Sequence, residues 1–286
     1  MADVLKGIPV ARSIELTAAS RAAALVSSGV QPALAVVRVG DRPDDIAYER
    51  GVMKRCSSVG VSVRNMALPG DCAERRLVDI LHGLSGDPSV HGALLFRPLP
   101  KYMNDKLVRN AIVPQKDVDG VTDVSLCGVF TGLEGGYSPC TAQACIEMLK
   151  YYGIDMKGKR AVVVGRSLVV GRPVAMMLLA GDATVTMCHT RTENMPEVCR
   201  SADILVVSAG REAMIGRDYL APGQVVIDVG INVRDDGTLC GDVDYEAAEG
   251  IVGAVTPVPG GVGSVTTSVL VSHVVDAAER MSRQIG

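Results

Sequence analysis

Val162-Val163-Val164-Gly165-Arg166-Ser167-Leu168-Val169-Val170-Gly171-Arg172-Pro173 passes from an apolar β-branched run, through a glycine-bounded loop, to a proline. The run suits a strand buried on both faces. Pro173 stands where a helix begins. Glycine lets a backbone approach a pyrophosphate closely, and the free N–H groups and dipole of the following helix favour its charge. The layout is that of a dinucleotide site. The spacing is Gly-x5-Gly rather than Gly-x-Gly-x-x-Gly, so a plain strand-to-helix turn also fits the loop taken alone.

The end of the next strand, Val185-Thr186-Met187-Cys188-His189-Thr190-Arg191-Thr192, bears on which dinucleotide it would be. A site for NAD places an acid there against the ribose hydroxyls, whereas cations and hydroxyls suit a 2′-phosphate. No acid is present, and Arg166, Ser167, Thr190 and Arg191 can form a phosphate nest. The expected cofactor is NADP. Read alone, Arg191 is a solvated loop cation and His189 a capping or packed histidine.

Working outward, Ala161–Val164, Thr184–Cys188, Ile204–Val207, Val225–Val229 and Ile251–Val255 read as a series of short buried strands. Thr256-Pro257-Val258-Pro259-Gly260-Gly261-Val262-Gly263 is a stiff, side-chain-poor loop able to approach a flat ligand. Asp228-Val229-Gly230-Ile231-Asn232 ends a strand, the edge where open α/β sheets bind ligands. Upstream, strands at Ala33–Val37, Val61–Met66 and Val90–Phe96 alternate with helices at Tyr48–Val59 and Glu74–Leu84. Such alternation predicts a parallel sheet with helices on its faces. A helix is expected over Asn104–Val113, an aperiodic stretch over Pro114–Pro139, a bridging helix over Thr141–Tyr152 closed by Gly153, and a last helix over Ser264–Ser282. The fold class is therefore two α/β domains, the second Rossmann-like. The expected division is 1–138, joined by the C-terminal helix 264–286, and 139–263.

The 286 residues are ample for two domains, and 48% apolar with 21% charged residues is ordinary for a globular chain. Lysine and arginine number 29 against 32 acids, a net charge of −3. No basic excess supports a nucleic-acid surface, and 3% aromatic residues leave little for base stacking. The eight cysteines contain no Cys-x-x-Cys pair, and the four histidines show no metal-ligand spacing. The expectation is a reduced, cytoplasmic protein without metal. No apolar run reaches the length of a membrane span, and the start has no signal-like apolar core.

In the first half, Gly40-Asp41-Arg42-Pro43 leads into a helix carrying Tyr48, and Lys116-Asp117-Val118-Asp119-Gly120 lies in a loop. Those pieces, with Pro98-Leu99-Pro100, Pro139-Cys140-Thr141, the Gly165 to Pro173 loop and the Thr256 to Gly263 loop, occur in one order. In that order the chain resembles, over essentially its whole length, the bifunctional methylenetetrahydrofolate dehydrogenase/methenyltetrahydrofolate cyclohydrolase family. The resemblance implies a homodimer of two-domain subunits with the folate in a cleft between domains. It implies cofactor contacts from Gly165, Arg166, Ser167, Thr190 and Ile231, to which the reading of the two loops adds Gly171 and Arg191. By the same resemblance Tyr48 and Asp119 are the catalytic residues, Tyr48 stacking on the folate and Asp119 anchoring its pteridine. Pro98, Leu99, Pro259, Gly260 and Gly261 would complete the substrate site.

Two departures fall where the family places its hydrolytic chemistry. The family's Tyr-x-x-x-Lys ends here in Val52, and its Gln-x-Pro-x-Pro begins here with Phe96. Gly40, Tyr48 and Gly60 keep the family's spacing, so no gap restores a lysine. Lys54 lies two residues on, roughly 200° around a helix. Ala142, Ala144 and Ser264-Val265 are smaller departures, read as repacking. Hydride transfer from 5,10-methylenetetrahydrofolate needs alignment and no proton acceptor. Hydrolysis of the methenyl product needs an acid and a base. The expected function is NADP-dependent oxidation of 5,10-methylenetetrahydrofolate to the methenyl form, with cyclohydrolase activity weak or absent. A fully bifunctional enzyme and a non-catalytic NADP- or folate-binding regulator are the alternatives.

Overall fold

The computed structural model of the chain describes residues 1–133 and 135–285. Its first half runs β1 (Asp3–Val4), α1 (Gly7–Ser27), β2 (Ala33–Val39), α2 (Pro43–Val59), β3 (Ser62–Leu68), α3 (Glu74–Gly86), β4 (Gly92–Leu95), α4 (Asp105–Arg109) and α5 (Asp123–Thr131). There follow α6 (Cys140–Tyr151), β5 (Arg160–Val164), α7 (Gly171–Ala180), β6 (Thr184–Cys188), α8 (Met195–Arg200) and β7 (Ile204–Val207). The last are β8 (Val225–Asp228), β9 (Asn232–Val233), β10 (Leu239–Cys240), α9 (Tyr245–Glu249), β11 (Ala254–Val255) and α10 (Gly263–Ile285).

The chain divides into two compact units. One comprises Met1–Arg12 and Thr141–Thr266, the other Ser13–Cys140 and residues 267–285. In the first unit six parallel strands lie in the order β1-β11-β8-β7-β5-β6, and a hairpin pairs β9 with β10. The central β5, β7 and β8 are runs of Val, Ile and Leu, nearly all fully buried, because helices cover a parallel sheet on both faces. Val164 pairs with both Cys188 and Val207, and Val207 pairs with Asp228, so the carboxyl ends of β5, β6, β7 and β8 form one edge.

In the second unit β2 is the centre of a three-stranded parallel sheet in the order β3-β2-β4. β2 and β4 are almost wholly buried, whereas β3 alternates at an open edge. α2 starts at Pro43, five residues before the expected Tyr48. A proline at the first helical position and Asp44 and Asp45 in the first turn suit its N-terminus, and Gly60 in the left-handed region ends it.

Three sequence expectations are corrected. Asn104–Val113 is not one helix: Asn104 caps the short α4, Asn110 follows it, and Pro114 opens a separate 3-10 turn. The aperiodic 114–139 stretch holds α5, with Thr122 accepting from the Ser125 N–H and Gly132 closing in the left-handed region. Its apolar residues do not form a stripe, so only its caps betray it. Residues 1–12 pack with the first unit, because Asp3 and Val4 pair with Ala254 and Val255.

Candidate active site

In the first unit Gly165 follows β5 with a positive φ of 122°, and a Cβ there would lie 2.4 Å from the Ser208 carbonyl oxygen. A Cβ on Gly171 would lie 2.3 Å from the Gly165 carbonyl oxygen. The loop therefore closes on itself only with glycine at both places. Ser167 Oγ accepts from the Val170 and Gly171 N–H groups at 3.1 and 3.4 Å, tying the start of α7. Arg166, Ser167, Thr190 and Arg191 are exposed beyond the neighbouring strands β5 and β6. Among the described residues neither Arg166 nor Arg191 forms an ion pair. His189 Nδ1 accepts from the Arg191 N–H at 3.2 Å, so this histidine caps the turn. A side-chain-free approach, helical N–H groups and two uncommitted guanidinium groups fit a phosphorylated dinucleotide.

Farther along the same edge, Ile231 and Leu239 stand over a cavity of about 200 Å³ walled by the Pro257–Gly263 loop. Gly260 has a φ of 102°, and its carbonyl accepts from the Gly7 N–H at 2.7 Å. Beneath lie two buried acids whose roles sequence reading missed. Asp242 accepts from the N–H groups of Ala209, Gly210 and Arg211 at 2.6 to 2.9 Å and from Asn232 Nδ2 at 2.9 Å. Asp228 accepts from Gly230, Asp242 and Val243. Burial pushes the Asp228 carboxyl up to about 6, against those three N–H donors, while the Asp242 charge adds to the rise. The two acids bind the loop after β7 to the hairpin carrying Ile231. Asp228 and Asp242 each end an ordinary local motif, and nothing in the sequence links them.

In the second unit Tyr48, on α2, exposes 39% of its surface, yet its hydroxyl end is enclosed. Its ring centroid lies 5.5 Å from that of Phe96, with the planes at 58°. Val52, one turn along α2, is fully buried, and Lys54 is exposed. Desolvation lifts the Tyr48 phenol above the ordinary tyrosine range, and the charge of Asp119 adds to this.

The loop carrying Asp119 is held at every neighbouring residue. Lys116 Nζ donates to the Leu84 and Asp87 carbonyls at 3.0 and 2.6 Å. Asp117 accepts from the Val121 and Thr122 N–H groups and from Ser125 Oγ at 2.6 to 3.0 Å. The Val118 carbonyl accepts from His273 Nδ1 at 2.8 Å and Cys140 Sγ at 3.2 Å. Gly120, at φ 68°, lies against the backbone of Ser138 and Pro139. Burial pushes the Asp119 carboxyl up to about 7, with the charge of Asp117; the Cys140 thiol and the Arg97 guanidinium oppose the rise. Pro98 is exposed, and Leu99 packs partly on the core of this unit. Arg97 beside them forks onto Asp105 at 2.7 and 2.6 Å. The structure thus brings Tyr48, Phe96, Val52 and Asp119 into one unit, and Gly165, Arg166, Ser167, Gly171, Thr190, Arg191, Ile231 and Pro259–Gly261 into the other. A larger cavity, of about 670 Å³, opens in the second unit between Gln31, Arg64 and His91, and none of the candidate residues lines it.

Comparison with known proteins decides the family. Residues 139–282 match the tetrahydrofolate dehydrogenase/cyclohydrolase NAD(P)-binding domain, and residues 5–119 match the catalytic domain of the same enzymes. The chain belongs to this family. The bifunctional protein FolD of Carboxydothermus hydrogenoformans is 50% identical over 281 residues, covering 98% of each chain. The crystal structure of the bifunctional FolD dehydrogenase/cyclohydrolase from Campylobacter jejuni superposes with a TM-score of 0.96 at 36% identity, covering 98% of this chain and 99% of that one. The Trypanosoma brucei FolD, complexed with NADP and an inhibitor, superposes with a TM-score of 0.92 at 31% identity, covering 99% of each chain. The expected two-domain α/β class and the expected family agree with these matches. Like its family, the chain is an enzyme of tetrahydrofolate one-carbon chemistry with a nucleotide-binding domain.

Proposed function

We propose that the protein oxidises 5,10-methylenetetrahydrofolate to 5,10-methenyltetrahydrofolate with NADP and has lost most of the cyclohydrolase activity of its relatives. When bound, NADP supplies the hydride acceptor. Gly165, Arg166, Ser167, Gly171, Thr190 and Arg191 hold its phosphates, and Ile231 with the Pro257–Gly263 loop shapes the floor of its site. Arg166 and Arg191, exposed and without an acid in Thr184–Thr192, favour the 2′-phosphorylated form. Tyr48 stacks on the folate, Asp119 anchors its pteridine, and Pro98, Leu99, Pro259, Gly260 and Gly261 bound the substrate. The carbon–hydrogen bond of the methylene bridge breaks with both electrons leaving as hydride, and the remaining cation is shared by the two flanking nitrogens. No side chain must accept a proton, so orientation is the chief demand on the chain.

Hydrolysis asks for more. Water adds to the methenyl carbon, the adduct sheds a proton, and the breaking carbon–nitrogen bond takes one up. The observation that carries the reading is the pair Val52 and Phe96: a fully buried isopropyl and a phenyl ring 5.5 Å from Tyr48, at the positions where the resemblance expects an amine and an amide. Positioned acid–base help is worth about 10²- to 10⁴-fold, or roughly 3 to 5 kcal/mol. The methenyl product then passes to a separate hydrolase.

One observation favours the bifunctional alternative: Asp119, pushed up to about 7, is able to exchange a proton at neutral pH beside Tyr48. Product analysis separates the two. Supplied with methylenetetrahydrofolate and NADP, the enzyme is expected to accumulate the methenyl product, and rapid enzyme-dependent formation of 10-formyltetrahydrofolate would defeat the proposal. The double substitution Val52→Lys with Phe96→Gln is expected to raise hydrolysis at least about tenfold, a partial recovery of the 10²- to 10⁴-fold acid–base contribution. As in the resemblance, the subunit is proposed to work as a cytoplasmic homodimer; the open edge of β3 is a surface on which a second copy could pair.

A further inference from the structure

We infer that the buried ion pair Arg38–Glu49 is a positioning device for the folate site, setting where α2 presents Tyr48. The inference rests on the reading of Tyr48 as the folate-stacking residue. Arg38 sits near the carboxyl end of β2 and Glu49 follows Tyr48 on α2; each exposes less than a tenth of its surface, at 6% and 7%. Arg38 Nε donates to Glu49 Oε2 at 2.8 Å. Its Nη1 reaches the Gly40 carbonyl and, at 2.6 Å, Asp41 Oδ1. The second Glu49 oxygen accepts from Asn65 Nδ2 of β3 at 2.6 Å. One guanidinium and one carboxylate thereby tie the loop that enters α2, the helix itself, the central strand and the edge strand.

A pair of this kind is a poor choice for stability alone, because taking two charges out of water offsets most of their attraction, and apolar residues of like volume often do as well. What the pair has and an apolar contact lacks is direction. Oil-like packing tolerates sliding, whereas the planar guanidinium, bonded to Glu49 through Nε and to Gly40 and Asp41 through Nη1, fixes the direction of helix and entering loop together. Glu49 adjoins Tyr48, and Val52 lies one turn from Tyr48, so rotation or slippage of α2 moves the stacking ring and the buried valine together.

The test compares Glu49→Gln, the apolar double variant Arg38→Met with Glu49→Met, and Tyr48→Ala, with the full-length enzyme. KM for folate, KM for NADP, kcat and the melting temperature are measured. A displacement of about 1 Å in a reacting group costs up to a hundredfold. Glu49→Gln and the double variant are expected to lose about ten- to a hundredfold in kcat/KM for the folate while KM for NADP stays within about twofold of wild type. The double variant, with no unpaired buried charge, is expected to melt no lower than Glu49→Gln and so carries the test should the single variant fail to fold. A double variant with wild-type folate kinetics would overturn the inference, since packing alone would then position the helix. So would a lowered melting temperature with unchanged kinetics, or an equal loss toward NADP. If Tyr48→Ala leaves the folate KM unchanged, it is the assignment of Tyr48 that fails.

Discussion

Asp117 and Asp119 are two residues apart in one loop, and their surroundings divide their work. Asp117 is fully buried and spends its carboxylate on two backbone N–H groups and the Ser125 hydroxyl, shaping the loop. Asp119 lies beside that charge in a desolvated place, and its carboxyl is held at about 7. The raised value means that the folded chain binds this proton more tightly than the unfolded chain does. The corresponding stability is complete below about pH 4, the unfolded value, and is lost as pH rises to about 7. The same titration is expected in the folate kinetics. A pH profile of kcat/KM for the folate should bend near pH 7, and Asp119→Asn should remove the bend while lowering kcat/KM by about tenfold or more, the worth of one charged hydrogen bond to the pteridine; a bend that survives the substitution belongs to another group.

The parallel strands β5 and β6 end side by side, so the residues after them are placed to reach one ligand although about twenty-five positions separate them in the chain. Arg166 and Arg191 stand on those two ends. Charge-assisted hydrogen bonds are worth about 1.5 to 3 kcal/mol, about ten- to a hundredfold in affinity. Arg191→Ala and Arg166→Ala are each expected to raise KM for NADP by such a factor and to change KM for NAD by less than about threefold, as steady-state kinetics with both cofactors will show. The element scale also separates what was legible from what was not. β5, its glycine loop and the start of α7 are spelled out locally by three valines, two glycines and a proline. α5 carries no apolar stripe and hides in an aperiodic stretch. The Asp228–Asp242 pair joins β8 to residues following β10, a relation that no window of sequence contains.

At the scale of the whole chain, the first residues are built into the unit that holds the Gly165 loop. Asp3 and Leu5 donate backbone hydrogen bonds to Gly253 and Val255 at 2.8 and 2.9 Å, and Leu5 is buried. Deleting residues 1–5 removes the backbone bonds from Ala2, Asp3 and Leu5 together with buried Ala2 and Leu5, on the order of 3 to 5 kcal/mol. The truncated enzyme is expected to melt lower and to bind NADP more weakly, measured by thermal denaturation with and without the cofactor; an unchanged melting temperature would show that β11 needs no partner on that side.

From its order of residues alone the chain declared two α/β domains, a glycine-bounded strand-to-helix loop and a resemblance to a folate family, with valine at 52 and phenylalanine at 96. Each of these is written in contiguous residues: runs of apolar side chains, glycines at fixed spacing, a helical interval of four. Tertiary structure alone decided that residues 1–12 join the nucleotide unit, that Asp242 gathers three N–H groups and that Arg38 grips Glu49. Those are encounters between distant parts of the chain. Their energies come from burial and from hydrogen-bond direction, which exist only once the strands have found their neighbours.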